Sequence, residues 1–249
     1  MTKRIVLGVG ALALVFAVFG WNPFAPYRDV SGVLKDAEFE NGIERQANGV
    51  YRVQALTRMP DVKAEMVRWW FADYMQTTQH YKRWHPQAHV WMDWENKQPG
   101  EIIGASHLVH EYLGSDPALH KLRIQFVEPA DFLPGWTGGQ GRLAICARAG
   151  LLEEPMNVTT MCHIVYDTEF GAEMRSVFWI GHVAKRDGND EVFSLEGLAG
   201  NTWAARRVLL DEHFANNLLT HAIEEMGILA EFLPELYAAQ NAPVEEAGE

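Results

Sequence analysis

Hydrophobic and polar positions divide the chain into three stretches. Ile5 to Trp21 runs without a charged side chain, behind Lys3 and Arg4. That length lies at the short edge of a membrane-spanning helix and is long for a signal-peptide core. Val18-Phe19-Gly20 is only a tolerable cleavage site, and Asn22-Pro23 and Pro26 stop any helix. Residues 1–26 therefore read as a signal peptide or an uncleaved membrane anchor. The basic residues before the run would place the body outside the cytoplasm, membrane-anchored or exported.

In the body, residues 27–239, a lead-in to about residue 60 reads as loosely structured with short strand candidates, such as Gly49 to Val53. Asp61 is a good N-cap residue, and a helix is predicted over 62–82. Met66, Trp70, Asp73, Thr77 and His80 recur at steps of three and four, so one helix would set them on one face. Alternating patterns then predict strands over 101–113, 119–127, 142–147, 158–166 and 173–183, separated by Gly-, Pro- and Asp-rich turns. No long helical pattern interrupts them, so the sheet is expected to be mostly antiparallel. A second helix, over 211–232, carries Leu218, Leu219, Ile223, Met226, Leu229 and Phe232, with Pro234 at or just beyond its end. This order predicts an α+β fold, a curved antiparallel sheet around a long C-terminal helix with a cavity between them. Residues 240–249 read as a flexible acidic tail.

Charge narrows the partners. The net charge is −12 with no basic tract, which excludes broad contact with nucleic acid or anionic lipid. Cys146 and Cys162 are the two cysteines, both in strand-like runs. They read as small buried apolar residues, or as one disulfide if the body is exported. Ten histidines are the unusual feature, and histidine is the commonest metal ligand.

His221 and Glu225 stand one helical turn apart, with His213 and Asn217 extending the line backwards. A buried glutamate there needs a cation or a hydrogen-bond network; on the surface the same spacing is an ordinary His–Glu pair. His80 closes the inward face of the first helix, with His85 and His89 as rivals in a Pro-containing loop. Glu111 shares a strand face with His107 and Val109, where an acid is out of place in a core-facing row, while His110 points away. Spacing alone leaves the ligand set open. Glu224 falls off the His221–Glu225 face and reads as a solvated charge. The loop Pro134 to Gly141 is either a lid over the cavity or a plain connection.

Several dispersed segments carry a resemblance. They are Trp69-Trp70-Phe71; His80-Tyr81-Lys82-Arg83-Trp84-His85-Pro86 with His89; His107-Leu108-Val109-His110-Glu111-Tyr112-Leu113-Gly114; His163, Asp167-Thr168 and Glu173-Met174-Arg175-Ser176 with Trp179; and His221-Ala222-Ile223-Glu224-Glu225 with Phe232-Leu233-Pro234-Glu235-Leu236-Tyr237. Over roughly residues 50–238 the chain resembles the 2,4-diacetylphloroglucinol hydrolase and phloretin hydrolase family. The resemblance implies a helix-grip (START-like) fold and a zinc ion held by two His and two Glu. Carried over by spacing, these are His80, Glu111, His221 and Glu225. It also implies hydrolysis of the carbon–carbon bond between an acyl carbonyl and an electron-rich phenolic ring, with a small aromatic ketone as partner. His163 is the candidate for orienting that substrate or delivering a proton. Family members hold the ring hydroxyls with Tyr and Asn side chains; Arg83 and Phe178 stand near those places and replace neither. The alternatives are a non-catalytic helix-grip protein holding an apolar ligand at a membrane, and a non-haem iron oxygenase, since two His and a carboxylate also suit iron.

Overall fold

The structure is a computed structural model that describes residues 28–35 and 37–242. The proposed targeting segment, residues 1–26, and the tail beyond 242 lie outside the described residues. Nine strands form one antiparallel sheet: β1 (Gly42–Arg45), β2 (Tyr51–Pro60), β3 (His89–Glu95), β4 (Ser106–Glu111), β5 (His120–Val127), β6 (Arg142–Leu151), β7 (Met156–Thr168), β8 (Gly171–Asp187) and β9 (Asp190–Val192). Their order is β1-β2-β8-β7-β6-β5-β4-β3, with β9 paired to β8. The predicted strands are all present, most of them longer at one or both ends, whereas 101–113 shortens to β4. The lead-in is more ordered than its pattern suggests. Its second half is the ten-residue β2, paired along its whole length with β8 in the middle of the sheet.

Period-two alternation sorts the side chains between two cores. On β7, Met161 and Val165 face the long helix with Phe178 of β8, while Cys162, Ile164 and Tyr166 face the other way with Trp179. The outer core is closed by Val33, Phe132 and Leu133, with Trp136 packed against it. The loop after Pro134 is thus a connection on the face away from the helix, and not a lid. Cys146 and Cys162 are directly opposed on β6 and β7 and form a disulfide under that layer. They are fully buried, as the sequence suggests, but bonded to each other.

The first predicted helix is broken. Asp61 adopts φ 61° rather than capping, and α1 (Ala64–Trp69) starts after Lys63. It runs into a π turn, Trp70–Tyr74, closed by Met75 N donating to Trp70 O at 2.9 Å. That wider turn lets three consecutive residues, Trp70, Phe71 and Ala72, all be buried. The chain then becomes extended at Thr77, whose side chain accepts from His80 N and starts α2 (Thr78–Trp84). The break turns Tyr81 and Trp84 inward, 1% and 4% exposed, in place of His80.

Two short helices, α3 (Leu195–Gly200) and α4 (Trp203–Leu209), precede the long α5 (Glu212–Gln240). Asp211 caps α5 by accepting from Phe214 N at 2.8 Å. The helix does not stop at Pro234. Leu233 and Leu236 are buried in the core on either side of it, and Tyr237 packs edge-on against Trp69. Packing on both sides outweighs the hydrogen bond that proline removes. The sheet grips α5 along β1 and β2, and the cavity opens between α5, β4, β5 and β7. The fold is helix-grip.

Candidate metal centre

Four buried ionisable side chains meet beside that cavity, and three of them, Glu111, His221 and Glu225, line it. His89 opens β3 and lies directly opposite Glu111, the last residue of β4. His221 and Glu225 project from one face of α5. Glu225 Oε2 lies 3.6 Å from His89 Nε2 and 3.6 Å from His221 Nε2. Glu111 Oε2 lies 4.0 Å from each of the same two nitrogens. None of the four residues is more than 8% exposed. The loop after β4 is pinned to α5: Asn217 Oδ1 accepts from Ser115 N and Oγ, both at 3.0 Å. Gly114 sits against the same residue at φ +52°, where a Cβ would come within 2.8 Å of Asn217 Oδ1. Trp84 Nε1 donates to Glu225 O at 2.9 Å, joining α2 to the same helix.

Neighbouring groups orient the cluster. His89 Nδ1 lies 2.8 Å from Tyr81 O. Donation of the Nδ1 proton to that carbonyl leaves Nε2 as the lone-pair nitrogen. His89 Nε2 is buried and has no hydrogen-bond partner among the described residues. The Tyr81 ring stacks on His89, and its hydroxyl donates to Glu111 Oε2. His85 stacks on His221, with its Nε2 3.3 Å from the exposed Glu224, which is thus a solvated charge with one partner.

Burial sets the protonation of these groups. It pushes the Glu225 carboxyl up to about 8. Burial, reinforced by the neighbouring Glu225, pushes Glu111 up to about 7 against the opposing pull of His89 and Tyr81. His89 is pushed down to about 4 by burial, and His221 falls well below the usual histidine range by burial and by the adjacent His89 and His85. Left to themselves, the acids hold protons and the imidazoles stay neutral. One cation among them would favour two carboxylates and two neutral imidazoles, the donor set of a divalent metal. Nitrogen and oxygen ligands at about 2.0–2.2 Å from a tetrahedral ion stand roughly 3.3–3.6 Å apart, close to the separations here. The ligand atoms of His89, His221 and Glu225 all lie within 4.8 Å of one another.

The structure therefore brings together Glu111, His221 and Glu225 of the sequence-derived set and leaves His80 outside. His80 is half-buried on the other side of α2, stacked on Tyr74 at 4.5 Å, with Nδ1 accepting from Gln76 N. His89 takes the place beside Glu111. It belongs to a strand rather than to the Pro-containing loop. A register shift between His89 and Trp91 turns it inward opposite Glu111, whereas plain alternation would place it on the face of Asp93 and Glu95, which are exposed, so strand periodicity alone gives no signal for it.

The cavity's walls are largely apolar: Phe71, Trp84, Ile124, Phe126, Met161 and Phe178 are among them. His163 lies in this wall, with Nδ1 2.7 Å from Ser176 Oγ and its ring edge-on to Phe178. Burial holds it down to about 3, so it is a neutral imidazole. Arg83 stacks instead over Phe232, away from the cavity.

The family model described as the DAPG hydrolase PhiG domain matches residues 28–238. The chain belongs to this family. A phloretin hydrolase from Eubacterium ramulus is 27% identical over 234 residues, covering 87% of this chain and 79% of the relative. A 2,4-diacetylphloroglucinol hydrolase from a Pseudomonas species is 27% identical over 209 residues, covering 77% and 68%. As a member of the DAPG hydrolase family the chain is an enzyme, a hydrolase acting on carbon–carbon bonds in ketonic substances. Among solved structures, the ginseng major latex-like protein 151 from Panax ginseng aligns with a TM-score of 0.42 at 9% identity, over 73% of this chain and 96% of that one. Protein NE0264 from Nitrosomonas europaea aligns with a TM-score of 0.41 at 13% identity, over 78% and 99%. The fold stands on the chain's own topology rather than on these distant likenesses.

The comparison also corrects the expected localisation. The DAPG hydrolase match begins at residue 28, beyond the apolar run, and the relatives' names are those of ketone hydrolases. Among the described residues no helix is long and apolar enough to cross a membrane. The expectation of a membrane-anchored or exported body is therefore withdrawn.

Proposed function

We propose that the enzyme is a zinc-dependent hydrolase of acylated polyphenols, with the metal held by His89, Glu111, His221 and Glu225. The observation that carries this reading is the buried group of His89, His221 and Glu225, with Glu111 4.0 Å from both imidazoles and His89 Nε2 unpartnered among the described residues, beside an aromatic cavity. When bound, a divalent ion such as zinc supplies Lewis acidity toward a ketone oxygen and toward water. The residues around it do the rest. Tyr81 fixes the Glu111 carboxylate through its hydroxyl and the His89 ring through its carbonyl. The apolar walls admit an aromatic ring and exclude bulk water, which strengthens each polar contact made inside. His163, neutral and anchored on Ser176, suits a hydrogen bond to the substrate better than the delivery of a proton. Water supplies both the hydroxyl of the carboxylic acid released and the hydrogen that replaces the acyl group on the ring. Ring hydroxyls ortho and para to the acyl group stabilise the departing carbon. The printed activities of the relatives make phloretin and 2,4-diacetylphloroglucinol the first substrates to test.

The test is metal content by plasma mass spectrometry on the full chain and on Glu225→Ala, alongside product analysis with those two ketones. About one zinc per chain, lost in the variant together with ketone cleavage, is the expected result. Full zinc content in Glu225→Ala would overturn the ligand set; iron with oxygen-dependent turnover would overturn the reaction.

A further inference from the structure

One polar atom in the cavity wall is left over by the chemistry above. His107 lies on β4 on the same face as Glu111, is 3% exposed, and lines the cavity. Its ring stacks on Trp94, its partner in the β3–β4 register, at 4.6 Å and 22°. It meets the Tyr81 ring edge-on at 5.1 Å. Its Nε2 is buried and has no hydrogen-bond partner among the described residues. An unpaired buried polar atom costs free energy and calls for an explanation. The other unpartnered nitrogen among the described wall residues is His221 Nδ1, on a ring whose Nε2 already faces Glu111 and Glu225.

Tyr81 shows what distance is involved. Its hydroxyl reaches Glu111, and its ring touches His107. The acid end of the cluster and His107 are therefore about one aromatic ring apart. A substrate ring lying in the cavity with its acyl carbonyl at the cluster presents its far side to His107. An imidazole in its neutral form offers one donor and one acceptor. A phenolic hydroxyl can both give and take a hydrogen bond, so it complements Nε2 in either tautomer.

We propose that His107 Nε2 is a specificity-determining contact that receives a ring hydroxyl on the side of the substrate opposite the acyl group. This deepens the acylpolyphenol reading and rests on it. His107 selects rings hydroxylated para to the ketone, using a histidine where the resemblance leads one to expect Tyr or Asn.

The experiment uses 2,4,6-trihydroxyacetophenone and its para-deoxy analogue 2,6-dihydroxyacetophenone with wild type, His107→Phe and His107→Gln. His107→Phe keeps a ring on Trp94 and removes the nitrogens; His107→Gln returns a polar group that can both donate and accept. Binding is read from tryptophan fluorescence and turnover from kcat/KM, with melting curves checking each fold. The para hydroxyl also changes intrinsic ring reactivity, but equally for every enzyme, so it cancels in the ratio of ratios. Wild type should favour the trihydroxy ketone over the deoxy one about tenfold more than His107→Phe does, the scale of one buried hydrogen bond, and His107→Gln should restore part of that preference. A ratio of ratios near one in both binding and turnover overturns the assignment. 2,4,6-Trihydroxyacetophenone is also what remains after one acetyl group leaves 2,4-diacetylphloroglucinol, so if wild type binds these ketones without cleaving them, the ratio of dissociation constants alone decides on His107, and the proposed function stands or falls by its own test with phloretin and 2,4-diacetylphloroglucinol. If wild type binds neither ketone, the His107 assignment falls.

Discussion

Adding zinc to the metal-free enzyme should expel protons, in a number set by Glu111 and Glu225. Their carboxyls are held up to about 7 and about 8 by burial, whereas His89, at about 4, is already neutral. Metal ligation requires both carboxylates ionised. At pH 6.5 the two acids together carry about 1.7 protons, at pH 7.5 about 1.0 and at pH 8.5 about 0.3, by simple titration with those midpoints. Zinc affinity should then rise about 100-fold between pH 6.5 and 8.5, the integral of that release. Calorimetric titration at each pH in buffers of different ionisation enthalpy gives the proton count directly. The metal-free protein should show the converse. Both folded-state values lie above the unfolded value of 4.5, so the folded state holds these protons more tightly than the unfolded chain does. Stability is then greatest below about pH 4.5, as far as these two groups are concerned, and is lost as pH rises through 7 and 8. Bound metal should remove that loss. Proton release near zero at pH 6.5, with an affinity flat in pH, would refute the reasoning: the carboxylates would already be ionised and the site would not be the low-dielectric cluster described here.

Other perturbations separate the roles of individual residues. His89→Ala should lose stoichiometric zinc while His80→Ala keeps it, since of these two histidines His89 alone presents a nitrogen to Glu225 and Glu111; metal analysis of the two proteins side by side decides, and the opposite pattern would restore His80. Asn217→Ala leaves Ser115 N and Oγ without their shared acceptor, so denaturant unfolding should show a loss of about 1–3 kcal/mol, with zinc affinity weakened because the β4 end is no longer pinned to α5. Reducing the Cys146–Cys162 bond, which spans 16 residues, should lower stability by about 3 kcal/mol, measured as a shift in the urea midpoint with and without reductant. Unchanged midpoints would mean that the two thiols are not bonded in solution.

What was legible in the sequence followed from short-range periodicity. Strand alternation gave the antiparallel sheet and set Glu111 inward with Val109 and His107, as found. The four-residue step from His221 to Glu225 needed only one turn of an uninterrupted helix, and α5 supplies it. His80, carried over from the resemblance, lies outside the cluster, because its place on the inward face depended on about twenty residues of helix staying in phase. A periodic reading treats Met66, Trp70, Asp73, Thr77 and His80 as one stripe, and that stripe survives only if no turn is inserted. The π turn over Trp70–Tyr74 and the fresh start at Thr77 rotate everything after them. Thr77 is a residue type that favours caps over helix interiors because its hydroxyl competes for backbone donors, so the break carried a local signal. The pull of three consecutive bulky or apolar residues into the core did not.

His89, a rival in the sequence reading, could not be chosen by spacing for a different reason. Its neighbour across the sheet is Glu111, 22 positions later in the chain, and the two meet only because the β3–β4 hairpin pairs in that register. A ligand defined by strand pairing is set by the hairpin's length, which a single insertion or deletion changes. A ligand pair on one helix turn is immune to such changes. The two halves of the centre therefore differ in how they are encoded. The His221–Glu225 half is written locally, and the His89–Glu111 half is written in the register of the sheet. Tyr81 links the halves of the argument physically as well: the residue that the helix break turned inward is the one whose carbonyl orients His89 and whose hydroxyl holds Glu111. The irregularity that defeated the periodic reading is thus the feature that assembles the site.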